Sequence, residues 1–423
     1  MREKEEDRNY LEGEMKQTVA VIGSLDTKSS ELAYMVRTIR QMGKDCLLID
    51  TSGLRHEVEE PKADITNQML LEAAGTSFGA LEESTKQERL HAVTEGLKVI
   101  LRKLYKEGRF QGVISAGGMQ NTLIAKTAMM ELPFGVPKVN VAPSMTVVEV
   151  DDALGRMDDA ATVNSFADIG GGINSLTAGI IKNGIAALVG MMEHGSGKFA
   201  GSGRPLVGIT NLGVTAQGAS KTAELLNGAG IETCMFHGTM HGAIVEKLVR
   251  EGILGGVMML CVHDILTEAI GAFQFCKIPT LQAPAEMKIP TVVSLSGMDV
   301  IDMSDTDFRQ GKLPGAEHRK HHFHNEFCVH VKASEEEILK GGRLLAERLN
   351  AFTSPVTVVI PLRGFRTYTQ PGEPLYDPGV DGALIRYLHE NLKKEIKIVD
   401  VDANANDWEF SRAAAEEMRC LMG

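Results

Sequence analysis

The stretch Gly117-Gly118-Met119-Gln120-Asn121-Thr122 sets two glycines and three polar side chains between an apolar run, Gly112-Val113-Ile114-Ser115, and the helix-like segment Leu123 to Met130. Strand, glycine turn and helix in that order face backbone N–H groups and the positive end of a helix dipole outward together. That is the chemistry of an anion site, most often one for phosphate. The same pattern also describes an ordinary tight turn, so other loops have to agree with it. Gly23, Ser24, Asp26, Thr27 and Lys28 follow the apolar run Thr18 to Gly23, Asp50 and Thr51 close the run from Asp45, and Ser144 follows the run from Lys138. Asp26 and Asp50 suit ribose hydroxyls or a hydrated magnesium ion, Lys28 suits phosphate, and Asn121 and Thr122 can add donors. Any one of these residues serves equally well as a helix cap; it is their recurrence in several loops that favours a ligand. Neither G-x-x-x-x-G-K-[ST] nor, in the first turn, G-x-G-x-x-G is present.

A second set of candidates lies further along. His237 and His263 follow apolar runs and are read as acid–base groups or anion donors. With His241 they are also a candidate metal set, although on separate loops. Arg363, followed by Gly364 after the run Val356 to Pro361, suits bidentate recognition of carboxylate or phosphate, with Asp377 as a helix cap or its partner. The tract His318 to Asn325 and the acidic group Glu149, Asp151, Asp152, Asp158 and Asp159 are read as solvated.

These residues need elements to carry them. Thr18 to Gly23 reads as a strand, Ser24 to Ser29 as a polar loop, and Leu32, Met35, Val36, Ile39 and Met42 as one face of a helix ended by Gly43. A strand to Asp50 completes a βαβ unit. Residues 54 to 86 read as an excursion or lid, and 88 to 107 as a long helix. Gly195 to Gly203 has linker composition. Beyond it the same order of elements returns: Ile22 to Gly43 and Ile209 to Gly230 are equally spaced. The region from Phe273 to His330 reads as mostly irregular. The expected fold is α/β, with two doubly wound Rossmann-like domains at 17–200 and 204–423, mainly parallel sheets and an interdomain cleft. Ligands are expected beyond the carboxyl ends of the strands, where strand order reverses.

At 423 residues, two domains are the prior expectation. A net charge of −12 argues against general nucleic-acid binding. Six dispersed cysteines and a charged N-terminus point to a reducing, cytoplasmic setting. The most apolar stretch, Ala178 to Met192, carries Lys182 and is read as too short to span a bilayer, so no membrane partner is expected.

As a set, Val21-Ile22-Gly23-Ser24-Leu25-Asp26-Thr27-Lys28, Leu132 to Lys138, Gly208-Ile209-Thr210 with Phe236-His237, Pro361-Leu362-Arg363-Gly364, Tyr376-Asp377-Pro378 and Val399 to Ala403 resemble a family of uncharacterised proteins. It is related to the ATP-binding N-terminal domain of the tomato mosaic virus resistance protein. The resemblance runs from about residue 17 to the end. It implies two Rossmann-like subdomains, ATP binding in the first and frequent dimerisation, with no agreed reaction. Where many members carry G-G-S-G-G-T, this chain has Gly117-Gly118-Met119-Gln120-Asn121-Thr122, and its second half has additional histidines.

The expectation is therefore an ATP-binding protein, with magnesium as a candidate companion, acting as an enzyme on a small anionic metabolite. His237, His263 and Arg363 are its candidate catalytic residues. The alternatives are a non-catalytic nucleotide-responsive protein and a metal-dependent hydrolase or lyase using the second-half histidines.

Overall fold

The structure, a computed structural model, describes residues 16–55, 58, 60–154, 158–199, 203–238, 242–273 and 278–423. The N-terminal arm to residue 15, Thr239 and His241 lie outside the described residues. The chain divides after Phe199 into two compact units.

In the first unit, β1 (Thr18–Gly23) leads into α1 (Leu25–Gln41), then β2 (Asp45–Asp50), α2 (Asn67–Ala73), α3 (Lys86–Lys106), β3 (Gly112–Ala116), α4 (Met119–Met129), β4 (Lys138–Pro143), α5 (Ser144–Ala153), β5 (Ala161–Ser165) and α6 (Ser175–His194). The polar run after β1 is not a loop. Helix begins at Leu25, which is buried, with Asp26 in the first turn where the dipole favours an acid, and a non-helical Lys28 (φ −138°, ψ 29°) marks a kink.

The five strands are parallel in the order β2-β1-β3-β4-β5. One face is covered by Leu70, Val93, Leu97 and Leu101, the other by Leu32, Met35, Ile39, Ile181, Ile185 and Leu188. Such runs of Val, Ile and Leu are expected of strands buried on both faces. Gly23 suits this packing: a Cβ there would lie 2.5 Å from the Leu32 side chain, which would have to shift. Helix α6 is longer than the apolar stretch suggests. At 20 residues it has the length and composition to cross a membrane. Its Ile181, Ile185 and Leu188 nevertheless sit in the core of this unit.

The second unit runs β6 (Leu206–Asn211), α7 (Ala216–Gly228), β7 (Glu232–His237), α8 (Gly242–Arg250), β8 (Gly256–Met259), α9 (His263–Ile270), α10 (Gln282–Met287), β9 (Thr291–Ser294), β10 (Val300–Ser304), α11 (Asp305–Arg309), β11 (His321–Phe323), β12 (Cys328–Lys332), α12 (Glu335–Asn350), β13 (Val356–Pro361), α13 (Pro378–Asn391), β14 (Lys397–Val401) and α14 (Trp408–Met422). Six parallel strands take the order β14-β13-β9-β8-β6-β7. Read from the second strand of each unit, the two sheets wind alike: second, first, third, fourth. Each reverses direction between its first and third strands, β1 and β3 in one and β6 and β8 in the other.

The region expected to be irregular instead holds a strand of the main sheet and a separate antiparallel sheet, β10-β12-β11. Its register sets Asp302, His330 and His322 opposite one another across three strands. Side chains alternate along a strand, so Ile301, Met303, Val329 and Val331 turn to the other face and join the apolar core.

Candidate functional site

At the reversal point of the first sheet, residues after β1 and β3 are neighbours, because Ile22 pairs with Ser115 in the ladder. Two helices start here, and their N-termini are closed differently. The N–H groups of α1 are met from β2: Leu25 donates to Asp50 Oδ1 at 3.1 Å and Asp26 to Ser52 Oγ at 3.1 Å. Asp50 Oδ1 also accepts from Ser52 N at 3.0 Å and Ser52 Oγ at 2.6 Å. Asp50 is thus itself the anion at the start of α1. Thr51 is buried, with its hydroxyl 3.3 Å from that of Ser24.

Helix α4 starts without such help. Its N-cap is Gly118, with no side-chain cap, and a Cβ at Gly118 would meet nothing within 4 Å. By contrast, α2, α3 and α6 are capped by Thr66, Thr85 and Asn174. Asn121 is buried and donates to Ala116 O at 3.2 Å, while its Oδ1 has no hydrogen-bond partner. Thr122 Oγ1 lies 3.5 Å from Gly117 O. Gln120, Ser144, Asp26 and Thr27 are exposed, and half-buried Lys28 donates to the carbonyl of Ile169 beside Gly170.

Beside Leu25 and Asp50 a cavity of about 590 Å³ is lined in part by Arg55, Lys62, Asn67 and Phe78. The Arg55 guanidinium stands 5.2 Å from the centre of the Phe78 ring. These cationic and aromatic residues fall within the excursion between residues 54 and 86, where the sequence shows no periodicity to single them out.

In the second unit the three candidate residues part company. His237 ends β7 and is exposed. Arg363 is exposed and makes a bidentate pair with Asp402, both contacts at 2.7 Å. His263 begins α9 and is fully buried. It belongs to a polar centre that the sequence reading did not assemble.

Arg366, three residues beyond Arg363, is wholly buried. Its Nη1 lies 3.2 Å from Asp302 Oδ1, its Nε 3.4 Å from Asp299 Oδ1, and its Nη2 donates to Gly297 O at 3.3 Å. Asp302 Oδ1 also takes His330 Nδ1 at 2.6 Å, and Asp302 Oδ2 lies 3.9 Å from His263 Nε2. Lys332 binds Asp299 at 3.1 Å and Asp381 at 2.6 Å.

Burial alone would raise the Asp302 carboxyl, but the Arg366 guanidinium, with the hydrogen bond from His330, holds it far below the usual carboxylate range. Burial lowers His263, with Arg366 and His330 adding to the effect against Asp302, so its imidazole is neutral. Burial also pushes the Cys261 thiol up to about 12, which leaves it a small packing group rather than a nucleophile. The arrangement can hold an ionised carboxylate against an imidazole, which is how proton-transfer histidines are oriented.

The acidic group in and after α5 is only partly solvated: Glu149 is exposed, but three of the carboxylates are paired. Lys126, itself buried, pairs with Asp151 and with Asp158 at 2.9 Å, and Lys138 pairs with Asp159 at 2.8 Å. The histidine tract is likewise structured, with His322 and His324 packed on Tyr368 and His330. Among the described residues no three His, Cys, Asp or Glu side chains are disposed to hold a metal ion.

Residues 17–196 match the N-terminal domain, and residues 204–422 the C-terminal domain, of an uncharacterised protein family, UPF0261. A UPF0261 protein of Clostridium tetani is 28% identical over 410 residues, covering 96% of this chain and 100% of that protein. The ToMV susceptible protein tm-1(GCR26) of Solanum lycopersicum is 27% identical over 424 residues, covering 94% of this chain, which spans 55% of the tomato protein. Among solved structures, a putative UDP-N-acetylglucosamine 2-epimerase from Listeria monocytogenes overlaps 90% of this chain and 99% of its own, with 12% identity and a TM-score of 0.24. With both of its units matched in order, the chain belongs to the uncharacterised protein family UPF0261.

Proposed function

We propose that this protein is a cytoplasmic nucleotide-binding enzyme, homodimeric, that takes ATP with magnesium at the exit edge of its first sheet and acts on a small anionic metabolite. The observation that carries the nucleotide reading is the start of α4. It lies at the reversal of strand order, its N-cap Gly118 supplies no side chain, and open space stands where a Cβ would be. N–H groups without a side-chain cap and a helix dipole at such a point favour phosphate. Gly117, Gly118, Asn121 and Thr122 would line the phosphates. Gly23, Ser24, Thr27, Thr51, Gln120 and Ser144, at the strand ends and helix starts of this edge, would stand near them. Lys28 would come within reach by exchanging the Ile169 carbonyl for phosphate.

Asp26, exposed on the first turn of α1, is the carboxylate available to a hydrated magnesium ion, because Asp50 is engaged by α1. Arg55, Lys62 and Phe78 give the neighbouring cavity the charge and the ring face that a nucleotide uses. ATP is the nucleotide suggested by the family resemblance. In the second unit, His237 and Arg363 stand at strand ends on the surface, where an anionic metabolite could meet them, and His263 lies in the polar centre below. Calorimetric titration of the full-length protein with ATP and magnesium tests the reading. Saturable heat with a matching thermal shift is expected, and neither at saturating ligand would refute it.

A further inference from the structure

We propose that Asp302 and His330 form the proton-transfer element of a second ligand site, within the C-terminal unit, for a small oxyanion such as a carboxylate or a phosphate ester. The proposal does not rest on the nucleotide reading.

An ionised carboxylate only accepts hydrogen bonds, so the 2.6 Å contact to Asp302 Oδ1 fixes the proton of His330 on Nδ1. In the neutral imidazole Nε2 then carries the lone pair. His330 is 5% exposed, yet Nε2 has no hydrogen-bond partner, and neither does His263 Nε2. A network that served stability alone would be expected to satisfy buried ring nitrogens, since leaving them unmet costs about 1–3 kcal/mol each. The pair is instead held as a base is held. Arg366 and the imidazole both contact Asp302 Oδ1, the ladder sets His330 opposite that carboxylate, and Nε2 is left without a partner.

The surroundings of that nitrogen define the guest. The ring of His322 stacks at 6.5 Å from that of His330, His324 lies at 5.0 Å and Tyr368 at 5.9 Å. His322 is half-buried and His324 exposed, so these side chains stand toward solvent. All three carry ring N–H or O–H donors suited to an oxyanion. The charges behind are already matched, Arg366 and Lys332 against Asp299 and Asp302. Burial, His330 and His324 hold His322 low, with only Glu373 opposing, so an arriving anion is what would favour its protonated form. In the transfer step, His330 Nε2 takes the proton of a ligand O–H or C–H bond, the electron pair stays on the ligand oxygen or carbon, and Asp302 stabilises the imidazolium. Reversal returns the proton.

Histidine-selective 15N labelling of the full-length protein, read in two-bond 1H–15N spectra near neutral pH, tests this with inorganic phosphate and malonate as probes. His330 is expected in the Nδ1–H tautomer, with its Nε2 signal moving toward the protonated position as either probe is added. His322 and His324 should respond in parallel, and His330→Gln should weaken that response about tenfold with folding retained. Asp302→Asn should lose the tautomer. If that variant does not fold, His330→Gln decides alone. A Nε2–H tautomer, indifference to both probes, or a response confined to exposed His194 and His318 would overturn the proposal. A response to one probe only would support it and name the oxyanion.

Discussion

The Leu25 backbone N–H donates to Asp50 Oδ1 at 3.1 Å, so a strand-end carboxylate closes the helix that follows the neighbouring strand. Asp50→Ala removes the acceptor of three hydrogen bonds in a buried turn and should cost roughly 2–4 kcal/mol, measured by urea unfolding. A loss under about 0.5 kcal/mol would mean that the turn holds without it.

Gly118→Asp separates fold from ligand. The backbone there (φ −81°, ψ −166°) accepts any residue, and the new carboxylate would cap α4. Stability should rise by about 0.5 kcal/mol. Affinity for ATP should fall tenfold or more, because the protein's own anion then fills the place of the phosphate. Calorimetry alongside thermal melting reads both. Unchanged ATP affinity in a stabilised variant would move the nucleotide away from α4.

Asp302→Asn leaves Arg366 with a single buried carboxylate partner and should destabilise by about 3–5 kcal/mol at neutral pH. Because the folded protein depresses the Asp302 carboxyl, its contribution is present above the unfolded value of about 4 and is lost as pH falls through the folded one. The gap between parent and variant should therefore narrow in acid, as followed by denaturant unfolding from neutral pH downward.

Asp381 has the opposite sign. Burial, with Asp299 beside it, pushes its carboxyl up to about 7 despite the Lys332 contact. Its contribution is full below the unfolded value of about 4 and is lost as pH rises through about 7. Asp381→Asn should remove a slope of about 1.4 kcal/mol per pH unit across that window. Identical pH profiles of parent and variant would contradict this.

Much of the frame was legible before any coordinates. β1, β2, β13 and the long α3 announce themselves through apolar runs and helical spacing, and the equal spacing in the two halves matches their shared winding order. The antiparallel insert was harder, because its strands are only three to five residues long. Yet Cys328-Val329-His330-Val331-Lys332 alternates polar and apolar residues with the period of a strand, a signal that could have found it. Arg366 had no such signal. It lies in the turn after β13, and nothing in residues 361 to 366 tells which arginine points inward. Only buried Asp299 and half-buried Asp302, brought from a distant part of the chain, decide that, with Arg363 left to pair with Asp402 at the surface.

The polar centre draws its halves from two layers: His263, at the start of α9, and Arg366, after β13, follow strands of the six-stranded sheet, while Asp302 and His330 belong to the three-stranded insert. These polar groups and the scaffold are therefore separately replaceable. A relative could keep every strand of the larger sheet, exchange some forty residues between β9 and α12, and so carry different polar groups on an unchanged foundation.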